Sequence, residues 1–84
     1  MAIVRLRGQL EKLAGSSQLS VDGGTVTELL QALEREHGLE GWILDERGVL
    51  RRHINVFVNG DPADPDTALE DTDKLEILPA ISGG

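Results

Sequence analysis

The sequence predicts an α+β domain in two layers: a sheet of four to five strands with one long helix packed on one face. Three observations carry this. Strand-like and helix-like periods follow one another in the order strand, strand, helix, strand, strand. Only the stretch from Thr25 to Gly38 has the length and period of a long amphipathic helix, and one helix covers one face of such a sheet. Apolar residues make up 39% of the 84 residues and aromatics only 2%, which suits a single domain with one aliphatic core.

In "AIVRLRG", Ala2, Val4 and Leu6 alternate with Ile3, Arg5 and Arg7, the pattern of a strand buried on one face. "QLEKLAG" places Leu10, Leu13 and Ala14 at helical spacing before Gly15, so a short helical turn is expected. "SQLSVDGG" is a second strand, the hairpin partner of the first, ending in a Gly23-Gly24 turn. The long helix opens at Thr25 with Glu28 in capping-box spacing. Val26, Leu29, Leu30 and Leu33 form its apolar stripe, Glu34, Arg35 and Glu36 are expected toward solvent, and Gly38 stands where a left-handed terminator belongs.

"LEGWILDERGVLRRH" is less regular, with a turn over Asp45 to Gly48 and a possible ribbon over Val49 to Arg52. "INVFVNG" is a plain strand, with Ile54, Val56 and Val58 inward, Asn55 and Phe57 outward, closed by the turn signal Asn59-Gly60. "DPADPD" reads as a loop. A short turn at Ala68-Leu69 and an acidic turn over Asp71 to Asp73 precede a last strand, Lys74 to Leu78. Pro79, lacking an amide hydrogen, is expected to end the pairing. Neither a linker nor an internal repeat interrupts this order.

Composition removes whole classes of function. Without cysteine there is no disulfide, thiolate metal site or thiol nucleophile, and a cytoplasmic location is permitted. A net charge of −7 opposes nucleic-acid binding. The apolar runs are too short to span a membrane, and "MAIVRLRGQL" lacks a signal-peptide core. His37 and His53 have no nucleophile to serve, and Ser16, Ser17, Ser20 and Ser82 have no base. The acidic stretch lacks EF-hand spacing. Gly23-Gly24 belongs to no phosphate-binding fingerprint, and Trp42 is a cover for the edge of the core. The chain does not read as an enzyme.

Two features point instead to a partner. The sequence ends "ILPAISGG", a strand-like run, a proline and two glycines, and from Pro79 to Gly84 an extended chain reaches roughly 20 Å. Residues 1–79 therefore read as the folded domain and 80–84 as a flexible tail, slim enough at Gly83 and Gly84 to enter a channel closed to any side chain. On the sheet face away from the helix, Phe57, Leu78 and Ile3, rimmed by Arg5 and Arg7, form a candidate docking patch, unless "LEGWIL" folds over them.

"INVFVNG", the ending "TALEDTDKLEILPAISGG" and the helix after "GGT" together resemble the ubiquitin-like sulfur carriers, the family of the molybdopterin synthase small subunit and the thiamine sulfur carrier. The resemblance implies a β-grasp fold with a mixed sheet. It also implies an E1-like partner that consumes ATP to adenylate Gly84, a sulfide or persulfide donor that leaves a thiocarboxylate there, and a downstream enzyme that accepts the sulfur. Gly83 would give slimness, and Ser82 and Ile81 would be gripped by the partner as an added strand. No cofactor would be bound by the chain itself. The rival implied by the same adenylate is a protein modifier that joins Gly84 to lysines; a non-covalent interaction domain is the third reading. The end product, whether molybdopterin, cysteine, thiamine or another, is left open.

Overall fold

The structure, a computed structural model, describes residues 1–79. It contains β1 (Ala2–Leu6), α1 (Gly8–Ala14), β2 (Gln18–Val21), α2 (Val26–His37), β3 (Ile54–Val58), β4 (Asp61–Pro62) and β5 (Lys74–Pro79). The strands form one mixed sheet in the order β2-β1-β5-β3-β4. β1 and β5 run parallel at its centre, and the flanking pairs are antiparallel. This is the β-grasp arrangement, with α2 as its long helix.

Alternation decides which side chains enter the core. Val4, Leu6, Leu75, Ile77, Ile54 and Val56 point to one face and are buried with Val26, Leu29, Leu30 and Leu33 of α2. Every large side chain in this core is aliphatic, as the composition required. The Thr25 hydroxyl accepts the Glu28 N–H at 3.2 Å, the expected N-cap. The next two free amides, of Val26 and Thr27, donate to the carbonyls of Thr67 and Pro65, so the loop before β5 completes the cap. Gly38 closes the helix in the left-handed region at φ 70°. Gly23 is needed for another reason: a Cβ there would lie 2.6 Å from the backbone of Leu29, so only glycine lets β2 turn this closely under α2.

Four expectations need correction. The "QLEKLAG" turn is a helix of seven residues, held by burial of Leu10 and closed by Gly15, whose N–H donates to the Glu11 carbonyl. The "DPADPD" loop begins with the short strand β4, where Pro62 sits opposite Phe57 on an edge that needs no amide from it. Pairing does not stop before Pro79, which still lies in register with Ile54. Glu34 does not face solvent: it is 9% exposed, and its Oε2 accepts the N–H groups of Ile43 (3.1 Å) and Leu44 (2.8 Å). Those amides belong to a buried, irregular segment and need an acceptor that no strand supplies. The signal was present, because Glu34 continues the helical row of Val26 and Leu30.

That bond also places the "LEGWIL" segment. Leu39, Ile43 and Leu44 join the core beneath α2, so the segment fills the helix side of the sheet, and Ile3, Phe57 and Leu78 on the other face are half-buried. Trp42 is 41% exposed, a loose cover at most. Asp45 builds the turn after it, accepting the amides of Arg47 and Val49, and the expected ribbon reduces to a single bridge between Leu44 and Leu50.

Glu34→Ala should therefore cost about 1–3 kcal/mol for each buried amide it orphans. Arg35→Ala and Glu36→Ala should stay within about 0.5 kcal/mol. Urea unfolding of the three variants checks the difference; equal losses would mean that Glu34 does not anchor the segment.

Candidate functional site

Strand β5 carries the chain to the end of the domain between two neighbours. Ile54 of β3 lies opposite Pro79 on one side. On the other, Gly8 opens α1 in the left-handed region at φ 60°, and a Cβ there would lie 3.2 Å from Pro79 Cγ. Pro79, with its own φ restricted by the ring, is thus flanked on both sides. Ile81, Ser82, Gly83 and Gly84, the residues expected to thread and react, lie outside the described residues, as does the 80–84 tail as a whole.

The open face can be read row by row from the strand register. Arg5 stands between Gln18 and Glu76, and Glu76 stands between Arg5 and Phe57. One step toward the tail, Leu78 lies opposite Asn55, which makes Phe57 and Leu78 diagonal neighbours. Arg7 reaches across to Glu76, with Nε at 3.3 Å and Nη2 at 3.1 Å from Oε2. Both side chains are well exposed, so the pair orients Arg7 more than it stabilises the fold. Arg5 has no ion-pair partner among the described residues.

Ile3 pairs with Lys74 and Ser20, and Lys74 and Glu76 separate it from Phe57 and Leu78. The structure therefore joins Phe57, Leu78, Arg5 and Arg7 around Glu76 and sets Ile3 apart. Glu76 and Lys74 were not singled out from the sequence, although the alternation Lys74, Glu76, Leu78 already sends them to this face. An apolar cleft of about 160 Å³ lies on the helix side, lined by Val26, Leu30, Leu44, Val49, Val56 and Ala63, with no titratable group. Among the described residues, no group of three or more His, Cys, Asp or Glu side chains is placed to hold a metal ion. No helix there is long and apolar enough to cross a membrane.

At the far end of β5 a polar knot fixes the strand's start. Asp73 Oδ2 accepts the Glu70 N–H at 2.8 Å, and its Oδ1 accepts Asn59 Nδ2 at 2.9 Å. The Glu70 amide, then the Asn59 side chain, hold the Asp73 carboxyl below its ordinary value. Asp45 is lowered likewise, first by the Val49 amide.

The model of the ThiS family matches residues 4–84, nearly the whole chain. The chain belongs to the ThiS family. Small archaeal modifier protein 1 of Haloferax volcanii is 37% identical over 84 residues, covering 95% of this chain and 97% of the relative. Sulfur carrier protein CysO of Mycobacterium tuberculosis is 31% identical over 77 residues, covering 83% of each chain. A chain in the crystal structure of the Amycolatopsis orientalis BexX/CysO complex superposes with a TM-score of 0.86 at 30% identity, covering 100% of both chains. This member of the ThiS family is accordingly a ubiquitin-like protein of the sulfur-carrier or modifier type.

Both lowered aspartates bind protons more readily in the unfolded chain, so stability rises with pH where they titrate. Their contribution is complete above the ordinary aspartate value of about 4 and is lost as pH falls through the lowered folded values. Melting temperatures should therefore drop below about pH 4, and Asp73→Ala should flatten part of that drop. An equally steep fall in the variant would remove Asp73 as a cause.

Proposed function

We propose that the chain is a sulfur carrier, a co-substrate rather than an enzyme, and that Gly84 is the residue that reacts. The observation that carries this reading is that the family match runs through Gly83 to Gly84, directly beyond a strand held at the centre of the sheet. A carboxylate resists nucleophiles because of its charge. An E1-like partner holding ATP removes that obstacle by forming the acyl-adenylate and releasing pyrophosphate. Sulfide then displaces AMP and leaves a thiocarboxylate. With a persulfide donor, an acyl disulfide forms first and a second thiol releases the thiocarboxylate from it. The chain binds no cofactor in this scheme; ATP belongs to the partner.

Phe57 and Leu78 are the proposed apolar contact with these partners, and Arg5 and Arg7 favour a partner whose rim is acidic. Ile3 contributes at the margin. Ile81 and Ser82 lead the glycines into the partner's channel. The identity of Small archaeal modifier protein 1 favours one second reading, in which the same adenylate is consumed by lysines of target proteins.

Deleting Gly83 and Gly84 should leave the melting temperature unchanged and abolish ATP–pyrophosphate exchange with the cognate activating enzyme; normal exchange would sink the proposal. Phe57→Asp or Leu78→Asp should weaken partner binding about tenfold or more with helix content preserved. Normal binding by both would put the interface elsewhere. In chains purified from the native cell, mass spectrometry should place one oxygen-to-sulfur exchange on Gly84. Finding Gly84 joined to lysines instead, with no sulfur even when enzyme and donor are supplied, would decide for the modifier.

A further inference from the structure

We propose that Asn59-Gly60 is a modification site gated by folding, converted to aspartyl and isoaspartyl products by the chain's own backbone and water once the β3–β4 hairpin opens. Asn59 and Gly60 are the two central residues of this hairpin, and both are left-handed, with φ 52° and 90°. In the folded turn both ends of the Asn59 side-chain amide are hydrogen-bonded. Its Nδ2 donates to Asp73 Oδ1 at 2.9 Å, and its Oδ1 accepts the Lys74 N–H at 3.0 Å. The backbone N–H of Asn59 donates to the Lys74 carbonyl at 2.8 Å.

The reaction needs no reagent but water. The Gly60 amide nitrogen loses its proton and attacks Asn59 Cγ; the bond from Cγ to Nδ2 breaks, and ammonia leaves with a proton from solvent. The succinimide so formed takes up water at either carbonyl, giving an aspartyl or an isoaspartyl linkage. Glycine has no side chain to crowd the attacking nitrogen. The chain's only other asparagine, Asn55, is followed by the branched Val56. Rotating Cγ of Asn59 onto the Gly60 nitrogen requires breaking both side-chain hydrogen bonds, so the native knot protects a sequence that is chemically labile.

The product is then locked out. An aspartyl carboxylate loses the Nδ2 donor and sets an oxygen against Asp73 Oδ1, so an attraction becomes a repulsion between like charges. An isoaspartyl linkage lengthens the backbone of a two-residue turn. Either way the start of β5 is poorly rebuilt. Chains that have opened at this end are thereby marked irreversibly, next to the strand that leads to the tail.

The test incubates the full chain at mildly alkaline pH, folded in buffer or unfolded in urea, and reads the Asn59 peptide by mass spectrometry. Conversion at Asn59 is expected to be about tenfold or more slower in the folded chain, with Asn55 intact in both. Equal rates overturn the gating, and no conversion in urea overturns the site. Asp73→Ala, shown folded by circular dichroism, should convert severalfold faster in buffer than wild type. Conversion of that folded variant at the wild-type rate overturns the role of Asp73. Should Asp73→Ala not fold, the same comparison is made with Asp73→Asn, whose single acceptor oxygen cannot serve both the Glu70 N–H and Asn59 Nδ2, as the two carboxylate oxygens do. N59D should melt below wild type at neutral pH; an equal melting temperature overturns the lock-out.

Discussion

β1 and β5 pair in parallel at the centre of the sheet, Ile3 to Leu6 beside Lys74 to Ile77, so the first and last strands close the fold together. Parallel strands cannot be joined by a tight turn, and here everything from β2 to β4 lies between them. The consequence reaches the tail. A chain leaving an edge strand would be braced on one side at most, whereas Pro79 leaves a strand held by β1 and Gly8 on one side and by Ile54 of β3 on the other. Under the proposed function such a root is useful, because less orientational freedom is lost each time the terminus is bound by a partner.

The same pairing divides the molecule into two unequal faces. On the helix side, α2 and the 39–52 segment fill the space with aliphatic groups, and the buried Glu34 carboxylate serves amides that would otherwise be orphaned. The open face keeps its long side chains: Phe57 and Leu78 in diagonal contact range, Arg5 and Lys74 in the rows beside them, and Arg7 drawn over to Glu76. In a chain of net charge −7 this local excess of bases is a distinct electrostatic feature. It is the kind of surface that speeds encounter with an acidic partner more than it tightens the final complex.

Periodic elements were legible in the sequence because each obeys one local rule. Alternation alone places Val4 and Leu6 inward and Arg5 outward; the Thr25 cap and the left-handed Gly38 bound α2; Asn59-Gly60 marks the turn that closes β3. What escaped was set by tertiary demand. Glu34 looks like a solvent residue until the amides of Ile43 and Leu44 need it, and α1 looks like a single turn until Leu10 is required in the core. The docking patch was half legible. Outward residues follow from alternation, but their neighbours depend on strand order and register, and the separation of Ile3 by Lys74 and Glu76 follows only from the parallel pairing of β1 with β5.

The composition takes on a chemical meaning under the proposed function. An acyl-adenylate is an electrophile, and any thiolate within reach of it would form a thioester instead of waiting for the sulfur donor. The chain has no cysteine, so that diversion is closed. Amines are the remaining strong nucleophiles. The chain has two lysines: Lys12, on α1, and Lys74, at the start of β5, the end of the strand opposite Pro79. Lys74 is therefore held by its own strand away from the root of the tail. Arginine, a poor nucleophile, supplies most of the positive charge elsewhere, including Arg5 and Arg7 on the open face. Positive charge for docking is thus provided mainly by the side chain least able to consume the activated terminus.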